Sequence, residues 1–351
     1  MDGPTQADNT SDARRRRMRV MTLAAAALGV ALALALGFAA MRAPSPASRL
    51  PGEKLSIALA STPHAALLHL AAAKGYYAEE GLDVTLIPVS HGKAALDMLA
   101  ANKADLAAAA EVPFVISVLK GQDVAIAATV VSVSNEMAVV ARKDRAISAP
   151  RDLLGKKIGV SYGTSGEYFV WAFLIRHKLA PERVTLVDVP PGKIAQELAN
   201  GNIDATATWQ PLRFNAESAL GDNALSFAEP NAYTVTHVVV GRGGFLKQHP
   251  AAVQKLMRAL LKAERFNRAD PQRALAQFAE RVKVDVRALQ GWQDLDFRVD
   301  LRQSQLVTLE DEARWAMARG YAEQRALPNF LPHLYLDALL AVQPDRVTVV
   351  R

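Results

Sequence analysis

From residue 54 onward, short apolar runs alternate with longer stretches in which apolar side chains recur every three or four positions. The first pattern is that of a buried strand and the second that of a helix with one apolar face. Their alternation predicts an α/β fold with mixed, mostly parallel sheets flanked by helices. Strands are predicted at 55–60, 84–88, 106–109, 124–129 and 137–141, then at 157–160, 184–189, 205–208 and 238–241. Helices are predicted at 65–74, closed by Gly75 as its cap, and at 93–101. Beyond Pro250 the pattern turns helical, at 251–267, 271–281, 286–295 and 308–319, and these helices are expected to pack on the outside of the first half.

Laying residues 84–95 on 184–195 gives seven identities in twelve, among them Gly92 with Gly192 and Lys93 with Lys193. Composition alone gives roughly one. Each copy reads strand, loop, helix, strand, so two similar lobes are expected.

Ahead of the lobes lies a different kind of sequence. Arg14, Arg15, Arg16, Arg17 and Arg19 precede an uncharged, Ala- and Leu-rich stretch at 20–41, long enough to span a bilayer. It reads as a signal anchor or a cleaved signal peptide, with 1–19 a basic cytoplasmic n-region and 42–53 a Pro- and Ser-containing tether. This places the rest of the chain in the periplasm or on the extracytoplasmic face of the inner membrane.

The chain carries 41 Lys and Arg against 35 Asp and Glu, and half of the resulting +6 falls within the first 42 residues. With no zinc-finger, helix-turn-helix or RNP pattern following, nucleic acid is not an expected partner. The absence of cysteine excludes a thiol nucleophile, Fe–S clusters and Cys-ligated zinc. No HExxH, GxSxG, Walker A or GxGxxG context is present. No metal, cofactor or catalytic residue is expected, and the chain is expected to be a monomer.

In open α/β sheets ligands bind at the carboxyl ends of strands, where helix N-termini offer free N–H groups. The loops at those ends contain Ser61, His64, His91, Glu111, Ser134 and Asn135 on the first lobe, and Gly163, Thr164, Ser165, Glu167 and Trp209 on the second. These are the candidate substrate-binding residues. Thr164-x-x-Glu167 also fits a capping box, Glu111 fits an ordinary first-turn acid, and Lys93 and Lys193 are expected to point to solvent.

Several stretches have a familiar look: AAAKGYYAEEGLDV from Ala71, GKAALDMLAANKADLAAAAEVP from Gly92, LLGKKIGVSYGTSGEYFVWAFL from Leu153, QSQLVTLEDEARWAM from Gln303 and YLDALLAVQPDRVTVV from Tyr335. Together they resemble the solute-binding proteins of the nitrate, sulfonate, taurine and thiamine-precursor type, over roughly residues 54–350. The resemblance implies a type II periplasmic binding fold, with 54–143 plus 238–351 as the first lobe and 144–237 as the second. Hinge crossings would fall near 142–149 and 233–237. It also implies an extracytoplasmic subunit of an ABC importer, closing on a small solute and delivering it to a permease and its ATPase.

The turn Gly163-Thr164-Ser165-Gly166-Glu167 departs from the sulfonate-binding pattern by carrying an acid. With Glu111 it suggests two carboxylates at the cleft, and hence an amine, a zwitterion or a nitrogen heterocycle as solute. The alternatives are a sulfonate- or nitrate-type anion in the same fold, a pyrimidine-synthase-like enzyme or a ligand-sensing domain. The enzymes of this resemblance carry a cysteine-rich motif that this chain lacks.

Overall fold

The computed structural model describes residues 52–350 apart from 231, 290 and 323–325. The predicted n-region, apolar segment and nearly all of the tether lie outside the described residues, among which no helix is long and apolar enough to cross a membrane.

Among the described residues ten strands form two sheets: β1 Glu53–Ala60, β2 Leu82–Val89, β3 Leu106–Ala110, β4 Val124–Val133, β5 Ala138–Arg142, β6 Lys157–Val160, β7 Thr185–Asp188, β8 Ala205–Thr208, β9 Ala224–Ala228 and β10 Val235–Arg242. The first sheet has the order β2-β1-β3-β10-β4 and the second β7-β6-β8-β5-β9. The two orders are the same topology. In each, four strands run one way and a single antiparallel strand, β10 or β5, pairs on both sides. That strand is in each case the one entering from the other lobe. The matched segments 84–95 and 184–195 occupy equivalent places, since β2 and β7 are the outermost parallel strands.

Burial follows the apolar pattern. The run Leu-Ala-Ala-Ala-Ala of β3 is buried along its whole length at the centre of the first sheet. Its small side chains let helix Gly92–Ala100 approach so closely that a Cβ on Gly92 would stand 2.8 Å from the Ala109 Cα. Helix Glu111–Leu119 is buried at every position. Gly75 ends the preceding helix in the left-handed region at φ 72°, as its position predicts.

The C-terminal helices do pack on the first lobe. Helix Pro250–Ala269 lies against Ala66–Ala73 and Asp337–Val342, and Lys255, Arg258 and Lys262 pair with Glu53, Glu80 and Glu79. The chain then runs along the outer side of β4 through bridges Ser132–Asp296 and Thr129–Asp300, covering that sheet edge. Helix Ser304–Ala318 rests on Glu111–Leu119.

Three expectations are corrected. The helix at 286–295 is instead two short 3₁₀ turns, Val286–Leu289 and Trp292–Asp294. Between them Gly291 takes φ 85°, and Trp292 turns inward between Phe278 and Phe297. Strand β9 was not predicted, because Ala224–Ala228 is only half-buried and shows no alternation. Finally, β5 belongs to the second sheet and all of β10 to the first. The chain therefore crosses at Ser134–Met137 and at 229–234, not after residue 143 and at 237. An apolar five-residue run reads as a strand in either sheet, and only its pairing partners assign it.

Candidate functional site

The two crossings lie side by side, joined by a 2.9 Å hydrogen bond between the Ser134 and Thr234 hydroxyls. Next to them a narrow cleft, with about 40 Å³ of enclosed space and a mouth open to solvent, is lined by both lobes.

Three helices begin at this cleft. His91, Gly92 and Lys93 start helix Gly92–Ala100, Ala110 and Pro113 belong to the start of Glu111–Leu119, and Thr164 and Ser165 start Ser165–Arg176. The N-terminal ends of three helices, with the positive ends of their dipoles, thus border the cavity. Thr164 caps its helix, its Oγ1 accepting from the Gly166 amide at 3.3 Å and donating to the Ser161 carbonyl at 2.7 Å. Ser165 Oγ, turned towards the Tyr233 hydroxyl, makes no hydrogen bond of standard geometry among the described residues. Gly166 lets the helix seat against β8, since a Cβ there would lie 2.9 Å from the Ala207 carbonyl oxygen. Gly166→Ala is expected to cost about 1–2 kcal/mol through this overlap, read as a lower denaturant midpoint with unchanged slope.

The cavity floor is made by His64, Glu136 and His237. His64 Nε2 lies 2.5 Å from Glu136 Oε2, and the His64 ring stacks on His237 at 4.1 Å and 8° between planes. Burial, reinforced by neighbouring His64, holds His237 well below the usual histidine range and therefore neutral. His91 is also lowered, by burial and then by Lys93.

Of the predicted residues, His64, His91, Thr164, Ser165 and Trp209 line this cavity. The others do not. Ser61 is exposed, Ser134 is bonded to Thr234, and Asn135 lines a separate groove with Arg213 and Glu217. Gly163 shapes the turn at φ 73° and donates its N–H to Glu167 at 2.8 Å. Lys93, expected in solvent, sits at the cavity rim and pairs with Asp97 at 3.1 Å.

The two glutamates require the largest correction, because neither carboxylate faces the cleft. Glu111 is fully buried and accepts from the Tyr233 hydroxyl at 2.9 Å and the Thr236 amide at 2.8 Å. Tyr233 also donates to Glu312, at 3.1 Å. Burial pushes Glu111 up to about 7, and burial together with the charge of Glu111 pushes Glu312 well above the carboxylate range. Glu167, 1% exposed, accepts from the Gly163 amide, one residue before the Thr164 amide that a capping box would use, and also from Arg319 at 3.0 Å and the Tyr321 hydroxyl. Neither is available to a ligand cation.

Glu136 and His237 were missed. Glu136 lies in a loop already identified, one residue beyond Asn135. His237 had a signal of its own, a polar residue inside the otherwise apolar run that forms β10.

The described residues thus form a two-lobed α/β architecture with a cleft between the lobes. The NMT1/THI5-like family profile matches residues 62–274, more than half of the chain, and the chain belongs to that family. A binding protein of Brucella abortus is 27% identical over 137 residues, 38% of this chain and 43% of its own. The taurine-binding periplasmic protein of Escherichia coli is 27% identical over 139 residues, 39% of this chain and 42% of its own. This chain thus spans less than half the length of either relative. Among solved structures, the alkanesulfonate-binding protein of Xanthomonas axonopodis bound to MOPS superposes with a TM-score of 0.70 at 18% identity, covering 82% of this chain and 99% of that one. The likeness establishes the two-lobed fold.

Proposed function

We propose that this protein is the extracytoplasmic solute-binding subunit of an ABC importer, and that its cleft takes a small anion of the sulfonate or nitrate type. The observation that carries the reading is the convergence of three helix N-termini on the cavity while Glu111 and Glu167 are engaged elsewhere. A tetrahedral or trigonal oxoanion fits such donors without a full opposite charge. Names among the relatives, taurine and alkanesulfonate, are of the same chemical class. The amine preference expected from Glu111 and Glu167 loses its basis, and the carboxylate that does line the cleft, Glu136, is paired with His64. Closure on the solute would present both lobes to a membrane permease and its ATPase.

The test is a melting-curve screen of ligand-stripped protein against taurine, alkanesulfonates, nitrate, amines and pyrimidines. A ligand at 100 times its Kd stabilises by about 2.7 kcal/mol. Stabilisation by sulfonates or nitrate is expected, and Ser165→Asp should weaken it at least about tenfold by placing a carboxylate at the helix start. A response confined to amines or pyrimidines overturns the reading.

A further inference from the structure

We propose that His64, Glu136 and His237 form a three-ligand site for a divalent transition-metal ion at the cavity floor, with its open coordination positions facing the anion space. The three come from separate segments: the turn Pro63–Ala65 after β1, the first crossing, and β10 just after the second crossing. One ligand atom from each lies within 4.8 Å of the others. Two imidazoles and a carboxylate are the donor set of zinc sites that keep a position open, and imidazole suits zinc, copper, nickel and iron alike.

A second observation points the same way. His64 and Glu136 are 1% and 8% exposed, yet His64 Nδ1 and Glu136 Oε1 have no hydrogen-bond partner among the described residues. Buried polar atoms left without partners are costly. A cation bound by both Glu136 oxygens satisfies one of them and gives this buried acid a reason to line a cavity otherwise built for negative charge.

The geometry requires a specific adjustment. Bonds of about 2.0–2.1 Å to a cation spread the 2.5 Å His64–Glu136 contact by under about an ångström. Because imidazole donates in its own plane, the stacked His237 ring has to turn about its Cβ–Cγ bond, a soft torsion. A dication against one carboxylate leaves a net positive centre, so bound metal should tighten anion binding. That last coupling rests on the anion reading of the cleft; the metal site itself does not.

The test is titration of chelator-stripped full-length protein with Zn²⁺ by calorimetry and with Co²⁺ by visible absorption. One ion per chain is expected, with ligand-field bands characteristic of nitrogen and oxygen donors. Glu136→Gln and His237→Phe should each weaken binding at least about tenfold, whereas His249→Ala, at an exposed position away from the cleft, should leave it unchanged. His237→Phe keeps a ring stacked on His64, so it separates ligation from packing, and melting curves in chelator check that each variant is folded. Absence of metal binding, or affinity unchanged in both variants, overturns the site. Sulfonate binding in excess chelator separates the two readings: if it persists while no metal binds, only the metal site fails. If metal binds and no anion does under either condition, only the anion reading fails.

Discussion

Glu264→Ala should destabilise the protein by about 3 kcal/mol or more, the effect of removing one partner from a buried charge pair. Glu264 is 1% exposed on helix Pro250–Ala269. One carboxylate oxygen accepts from the Val299 amide at 2.8 Å, and the other from Arg346 at 2.8 Å and from Arg268. A single side chain thereby ties together the long helix, the segment that covers the edge of β4 and the last turn of the chain. Its loss strands the largely buried Arg346 and a buried backbone N–H, each a further cost. Arg268 is mostly exposed, so Arg268→Ala is expected to change stability by no more than about 0.5 kcal/mol. Urea unfolding of both variants checks the pair of expectations, and similar losses in the two would refute the assignment.

The second large effect is a dependence of stability on pH. Glu111 and Glu312 share the Tyr233 hydroxyl, and the groups nearest them, Asp311 and the Tyr168 hydroxyl, bring no positive charge. For a carboxyl raised in the folded state, the folded form holds its proton more tightly than the unfolded chain does. The stabilisation is therefore fully present below the ordinary carboxylate value, near 4.5, and is lost as pH rises through about 7. Over that window the loss amounts to about 3 kcal/mol at one pKa unit per 1.36 kcal/mol. Glu312→Gln keeps hydrogen-bonding capacity but removes the carboxyl that holds a proton in the folded state and releases it in the unfolded chain. Its stability relative to the parent chain should improve steadily as pH rises from 5 to 8, measured by unfolding at fixed temperature. A difference that stays constant with pH would exclude the shared-proton arrangement.

Much of the fold could be read from local pattern, because strands such as Leu106–Ala110 and Lys157–Val160 and the Gly75 cap are decided by adjacent residues. The two-lobe plan was readable for the same reason, as a pattern written twice. What local pattern leaves open is partnership across the chain. Ala138–Arg142 is a strand by composition, but its place in the second sheet depends on β8 and β9. Glu111 opens a helix beside a cavity, and what turns its carboxylate away is Tyr233 and Thr236, 122 and 125 residues distant. His64 was identified, whereas its partner Glu136 lies 72 residues along, where no spacing rule reaches. The cleft's location was therefore legible and its charge was not.

The lending of β10 to the first sheet has a consequence for the order of assembly. All five strands of the second sheet fall within residues 138–228, so that sheet closes from one continuous piece of chain. The first sheet holds residues 53–133 but pairs β3 to β4 only through β10, which ends at Arg242. During synthesis from the N-terminus, the half that emerges first stays split between β3 and β4, whose facing edges pair only with β10. It waits for a strand made after the other half is already complete.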